Sequence, residues 1–290
     1  SDIKVEYKRL EDTFYTVVHS GGNKDVFAGG LSKNNILFGS HSEQAKASFE
    51  LMEAILHNES MTFANVLRQW NYIEDIIGFT TIDGKELQNY QILNDIRSQY
   101  YSKADFINGY PAATGIGMNV GGIILEFYGS NAQQEILPIK NSEQKDAYEY
   151  SQNVLIGNSL NIEKKKSSPK FERAKYIKQQ EYKKVFISGT ASIKSEQTVG
   201  IEDVVTQTKV TIENIQNLIS GRNLEANRIL NNYSSINYSF IRVYVKRPEE
   251  MEKVKNICDG AFPGIQINYL VADICRENLL VEIEGEAELN

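Results

Sequence analysis

The 290-residue sequence holds two cysteines and three histidines, and it has no apolar run of the ~18 residues a membrane-spanning helix needs. Cys258 and Cys275 are too few for a disulfide framework and too far apart for a zinc knuckle or redox pair, so a reducing compartment is expected. His19, His41 and His57 lie early in the chain without metal-ligand spacing, and no metal site is expected. The first residues, Ser1 to Glu6, alternate polar and apolar without the layout of a signal peptide. These absences point to a cytoplasmic chain that neither crosses nor sits on a membrane. An excess of positive charge is missing too: 31 basic against 38 acidic side chains give a formal charge of −7. The lack of a dense basic stripe argues against a surface built to grip phosphate backbones, and nucleic acid is not expected as a partner. The one lysine-rich stretch, Lys164 to Lys166 through Lys183 and Lys184, reads as a solvated linker or helix face.

What is present is ordinary globular composition, with 41% hydrophobic and 24% charged residues and enough length for one large or two modest domains. Strand-like runs at Thr13–Ser20 and Asn35–Gly39 precede a helix with Ser42 as N-cap and Ala45, Phe49, Met52 and Leu56 on one face. A strand over Phe63–Ile73, a helix over Tyr90–Tyr101, a loop from Gly109 to Gly117 and a strand over Gly122–Tyr128 follow. The loop contains Gly115-Ile116-Gly117, but it runs into a strand rather than opening a helix, so it is not a dinucleotide fingerprint.

After a polar, lysine-rich stretch between about Asn141 and Glu181, the order repeats. Val185–Gly189 reads as a strand, and Val205, Thr208, Ile212, Ile215 and Ile219 mark a helix face. Ser239–Lys246 is a strand with Arg242 and Tyr244 on one face and Ile241, Val243 and Val245 on the other. Pro248, Glu249 and Glu250 open a helix that stops near Asp259-Gly260. Tyr110-Pro111 can be laid over Phe262-Pro263, and Ile123–Phe127 over Leu280–Glu284. The pattern is that of a tandem duplication, with extra residues after the middle strand in the first half and before it in the second.

Thr190-Ala191-Ser192-Ile193, Asp203–Thr208, Ile241–Val245, Val271–Arg276 and Val281–Glu284, in that order, resemble the RidA (YjgF) family. Arg68–Ile73, Tyr90-Gln91 with Asn94 and Arg97, and Tyr110–Gly117 resemble the two-domain chorismatases, which are duplicated RidA-like folds. The resemblance implies an α+β chain, a tandem duplication of a RidA/YjgF-like, chorismate mutase-like unit with mixed sheets and helices packed on one face. Domains are expected at 1–145 and 146–290, the lysine-rich connection covering about 146–181. It also implies cofactor-free cleavage of chorismate to pyruvate and either a hydroxybenzoate or a dihydroxycyclohexadiene carboxylate. The alternative is a non-catalytic member that holds a small carboxylated metabolite. Monomer and homotrimer are both open.

Such a substrate needs donors for two carboxylates and one acid for the enol-ether methylene carbon. By the resemblance Glu282 is that acid, and a carboxyl between Val281 and Ile283 in an apolar setting would keep its proton. On sequence pattern alone, Glu282, Glu284 and Glu286 at period two read as a solvated strand face. Cys275 by its residue type reads as a small buried hydrophobe with no histidine nearby to make a thiolate; the resemblance implies a place near the pocket, where it shapes the product rather than acts as nucleophile, and makes it the second catalytic candidate. Arg97 and Arg242 are the candidate clamps, with Tyr101, Tyr110, Thr114, Gly115 and Gly189 as further substrate contacts; tyrosines at such positions are more often core or rim aromatics than ligands. Two departures from the resemblance stand out: Phe262-Pro263 is followed by Gly264-Ile265-Gln266-Ile267 without an arginine, which puts imine deamination in doubt, and Ala191-Ser192-Ile193 is followed by Lys194-Ser195-Glu196-Gln197 without a histidine.

Overall fold

The structure, a computed structural model, describes residues 3–32, 39–132, 135–160, 165–179, 182–229 and 233–290. The strand expected at Asn35–Gly39 lies mostly outside the described residues, as does Lys164. The first half runs β1 (Lys4–Leu10), β2 (Thr13–Ser20), β3 (Asn23–Leu31), α1 (His41–Asn58), β4 (Val66–Glu74), a hairpin of β5 (Phe79–Ile82) and β6 (Lys85–Gln88), α2 (Asn89–Tyr101), β7 (Ala112–Met118) and β8 (Ile123–Ser130). The second runs β9 (Glu135–Ile139), β10 (Ala174–Gln179), β11 (Tyr182–Ala191), β12 (Ile193–Lys194), β13 (Gln197–Thr198), α3 (Val204–Leu218), α4 (Gly221–Ala226), β14 (Ile236–Val245), α5 (Met251–Ala261), β15 (Ile267–Val271) and β16 (Val281–Leu289). Among the described residues no helix is long and apolar enough to cross a membrane.

Both six-stranded sheets have one topology. The first is ordered β1-β2-β3-β8-β4-β7 and the second β9-β10-β11-β16-β14-β15. Each has a single parallel pair at the same edge, β4 with β7 and β14 with β15, and each is bulged at the same place. This is the duplication expected from the sequence, in an α+β fold. The changeover between sheets falls between Ser130 and Glu135, so Glu135–Ile139 is an edge strand of the second sheet.

Register corrects the sequence overlay by one residue. Tyr72 pairs with Ile124 and Trp70 with Glu126, while Tyr244 pairs with Glu282 and Arg242 with Glu284. Glu126 is therefore the counterpart of Glu284, and Glu282 matches Ile124. A one-residue slip exchanges the two faces of a strand, and here it decides that only the second half carries a glutamate at the 282 position.

Helix α1 is capped by Ser40 rather than Ser42. The Glu43 amide donates to Ser40 Oγ at 3.3 Å and the Ser40 amide to the Glu43 carboxylate at 2.8 Å, a capping box. Its apolar face, Ala45, Phe49, Met52 and Leu56, is buried against the sheet as the spacing requires. Two further corrections concern strands. The segment expected as a loop forms β7 from Ala112 onward, and the lysine-rich connection contains β10. Lys175 on β10 is 1% exposed, and its Nζ donates to the carbonyls of Gly109 at 2.8 Å and Tyr110 at 2.6 Å. That lysine fixes the approach to β7 from inside.

The helix-free faces of the two sheets pack on each other. Leu67 and Ala112 meet Ile177 and Phe186, and the Ala113 amide donates to Ser188 Oγ at 2.9 Å. An isolated antiparallel bridge between Ile116 and Ile274, with the Gly117 amide donating to Asp273 O at 2.8 Å, docks the loop before β16 onto β7.

Candidate active site

The bulge in β11 builds the site. Between Ile187 and Thr190 the strand carries an extra residue relative to β16, which sets Gly189 under the Glu282 side chain. A Cβ at Gly189 would lie 2.0 Å from Glu282 Oε1 and 3.1 Å from the Thr114 methyl, so any larger residue there displaces the Glu282 carboxyl. Glu282 is 4% exposed, and no hydrogen-bond partner for its carboxyl occurs among the described residues. Burial first, and the charge of Glu284 second, push its pKa up to about 8 against the opposing pull of Arg68 and Arg173. It is thus a protonated acid at neutral pH. The solvated-face alternative for Glu282 and Glu284 fails because the first sheet covers that face.

Two adjoining cavities of about 50 and 30 Å³ share Glu282, Cys275, Tyr90 and Gly189 as walls. The smaller also reaches Arg97, Asn71, Thr114 and Gly115; the larger reaches Arg173 and Arg276. Helix α2 supplies Arg97, which is 1% exposed and donates to Asn94 Oδ1, while its Nε has no partner. Arg173, 4% exposed, donates to Lys145 O at 2.5 Å and Tyr150 Oη at 2.7 Å, and its Nε is likewise unpartnered. Arg276 donates to Glu196 O at 2.8 Å and lies over the Tyr150 ring. None of these three guanidiniums pairs with a carboxylate among the described residues. For Arg97 and Arg173, which are buried, a cation without a counter-ion is costly unless a ligand supplies one.

The expected residues divide. Glu282, Cys275, Arg97, Thr114, Gly115 and Gly189 converge on the cavities. Burial, then the charge of Glu282, pushes the Cys275 thiol up to about 12, so it stays a thiol. Thr114 lines the wall, but its hydroxyl is already engaged: it accepts from Arg68 Nη2 at 2.6 Å and the Gly189 amide at 3.0 Å and donates to Glu284. Gly115 keeps β7 clear of the Tyr90 ring, which a Cβ would meet at 3.1 Å.

Arg242, Tyr101 and Tyr110 are not brought to the cavities. Arg242 Nη1 donates to Glu284 Oε1 at 2.7 Å, outside both cavities. Tyr101 donates to Gln69 Oε1 at 2.5 Å and stacks on Tyr110, which in turn meets Phe106 and Tyr148. Both belong to an aromatic cluster behind α2. Sequence reading missed Arg173, Phe171 and Tyr150, which sit in the stretch taken as a linker, and Arg276, whose only signal was its place beside Cys275.

Comparison with known proteins identifies relatives across most of the chain. The family model described as chorismatase FkbO/Hyg5-like, N-terminal, matches residues 13–128. A 3-hydroxybenzoate synthase of Streptomyces hygroscopicus is 33% identical over 253 residues, covering 85% of this chain and 70% of that protein. A chorismatase of the same organism is 30% identical over 228 residues, 78% of this chain and 62% of its own length. A chorismatase crystal structure superposes with a TM-score of 0.76 at 25% identity, covering 97% of this chain and 78% of that one.

Proposed function

The chain belongs to the chorismatase family and is an enzyme of that type, and from that premise we propose that it cleaves the enolpyruvyl ether of chorismate to pyruvate and a cyclic carboxylate, with Glu282 as proton donor. One observation supports this above the others: a buried, protonated glutamate without a hydrogen-bond partner lies beside buried arginines without carboxylate partners.

In this reading the two sheets are two domains and the substrate lies where they meet. Arg97 of the first and Arg173 of the second hold the two carboxylates by charge-assisted hydrogen bonds. Glu282 gives its proton to the terminal methylene carbon of the enol ether, and the adjacent ether carbon becomes an oxocarbenium ion. Water adds to that carbon and returns a proton to the Glu282 carboxylate; the hemiketal then collapses, its hydroxyl proton passing to the departing ring oxygen, and pyruvate and the ring alcohol are released. In the other branch the neighbouring ring hydroxyl attacks the ring carbon that bears the ether, that ring C–O bond breaks with pyruvate as leaving group, and the hydroxyl proton passes to the Glu282 carboxylate. The Glu282 carboxylate is stabilised as it forms by the guanidiniums around it. Cys275, as a neutral thiol against the same carboxyl, bears on which nucleophile reaches the ion rather than on the proton step. Cavities of about 50 and 30 Å³ hold a few waters rather than a ten-carbon acid. Binding therefore requires wall residues from the chain between β9 and β10, Val154 and Leu155 among them, to move outward.

The test is pyruvate release from chorismate by the purified protein, with mass spectrometry of the ring product. Glu282→Gln should lower turnover by about 10²–10⁴-fold, the usual weight of a general acid. No release by the unaltered protein would overturn the substrate, and undiminished release by the variant would overturn the acid.

A further inference from the structure

A cavity of about 470 Å³ shares no wall residue with those around Glu282. It opens between the sheets and is walled by the rings of Phe27, Trp70, Tyr128, Tyr182 and Phe186 together with the Glu126 carboxylate. Phe27 and Tyr128 stack at 4.7 Å, and Tyr128 meets Phe186 at 5.7 Å, so the rings form a continuous apolar wall.

Glu126 is the counterpart of Glu284, and the comparison between the two is informative. Glu284 takes guanidinium donors from Arg68 and Arg242 and the indole donor of Trp70. Glu126 receives only the Tyr72 hydroxyl, at 3.3 Å, and no lysine or arginine pairs with it among the described residues. The first half has kept the carboxylate without the cations that neutralise it in the second. Lys184 is the cation on this cavity wall, but it is held 2.6 Å from Glu286 and lies over Tyr182 and Phe186. The wall is left with one uncompensated negative charge beside several ring faces.

A carboxylate among aromatic faces recognises an organic cation, by a charge-assisted hydrogen bond at one end and cation–π and apolar contact along the rest. We infer that this cavity binds a primary ammonium or guanidinium group carried on a small apolar body, at a site separate from that of the anionic substrate.

Trp70 is the single tryptophan of the chain and stands in this wall, so its fluorescence reports occupancy directly. The experiment is a fluorescence titration of the full chain with benzylammonium and benzylguanidinium, and with benzyl alcohol as the neutral control. The expected result is a saturable change with at least one cation, none with benzyl alcohol at the same concentrations, and a Kd raised at least ~10-fold in Glu126→Gln. Because Glu126 touches neither cavity around Glu282, turnover of chorismate by Glu126→Gln should equal that of the unaltered protein. Absence of a saturable change with both cations overturns the inference. So does benzyl alcohol binding as well as the cations, or an unaltered Kd in Glu126→Gln.

Discussion

Glu282 and Glu284 stand two residues apart on one face of β16, 4% and 1% exposed, and meet opposite surroundings. Glu284 accepts from Arg68 and Thr114, from Trp70 Nε1 at 3.0 Å, from Arg242 Nη1 at 2.7 Å and from the Tyr244 hydroxyl at 3.0 Å. Three of those donors come from the first sheet and two from the second, so the carboxylate that pins the sheets together also places a negative charge beside the acid. Glu282 has no such donors and keeps its proton.

Glu284→Gln should therefore move the alkaline limb of the kcat profile to lower pH. Removing a like charge lowers the pKa of Glu282, and Arg68, no longer neutralised, acts in the same direction. Only the protonated form donates, so the variant should lose proportionally more activity near pH 8 than near pH 6. Leaving Arg68 buried and unpaired costs about 3–5 kcal/mol, and the profile is best measured well below the lowered Tm. A limb at an unchanged pH would mean that Glu284 does not tune the acid.

A raised pKa is also a stability statement. The folded chain holds on Glu282 a proton that the unfolded chain gives up, so this contribution is fully present below the ordinary value of 4.5 and is lost as pH rises through about 8. Glu282→Gln lacks the titrating group. Its Tm should gain on that of the unaltered protein steadily from about pH 5 to about pH 9. Parallel curves from calorimetry at several pH values would show that Glu282 titrates normally.

Gly189→Ala is the sharpest test of the bulge. Its Cβ would fall 2.0 Å from Glu282 Oε1, so the carboxyl has to leave its place, at about 1–3 kcal/mol of overpacking. Turnover should fall nearly as far as in Glu282→Gln while the circular dichroism spectrum is kept. Gly260→Ala, with nothing within 4 Å of the added carbon, is the matched control and should leave turnover unaltered.

The parts legible in the sequence are those where one face meets core and the other water. Helices α1, α2 and α3 announce themselves by period, and the order of elements announces the duplication. Strand β7 was hidden because Gly115 and Gly117 dilute its strand character. Both are glycine for reasons outside the strand, since added Cβ atoms would meet the Tyr90 ring at 3.1 Å and Asp273 Cβ at 2.7 Å. The register of β8 against β16 was hidden because both faces of β16 are buried, and a strand covered on both sides has lost the alternation that fixes register. Arg173 was hidden by its neighbours, a lysine-rich stretch whose charge suggests solvent although Lys175 and Arg173 are inside.

The guanidiniums supply the last test, because binding and structural roles predict opposite signs. Arg97 is buried, has an unpartnered Nε and pairs with no carboxylate among the described residues. Such a charge lowers the stability of the ligand-free chain. Arg97→Met should raise Tm and, by removing a charged hydrogen bond of about 1.5–3 kcal/mol, raise KM by about 10- to 100-fold. Arg242→Met should do the reverse, because it takes a donor from Glu284 while touching neither cavity. Its Tm should fall and its KM stay near that of the unaltered protein. A fall in Tm on losing Arg97, with KM unchanged, would make Arg97 a strut of α2 and leave the anion to Arg173 and Arg276.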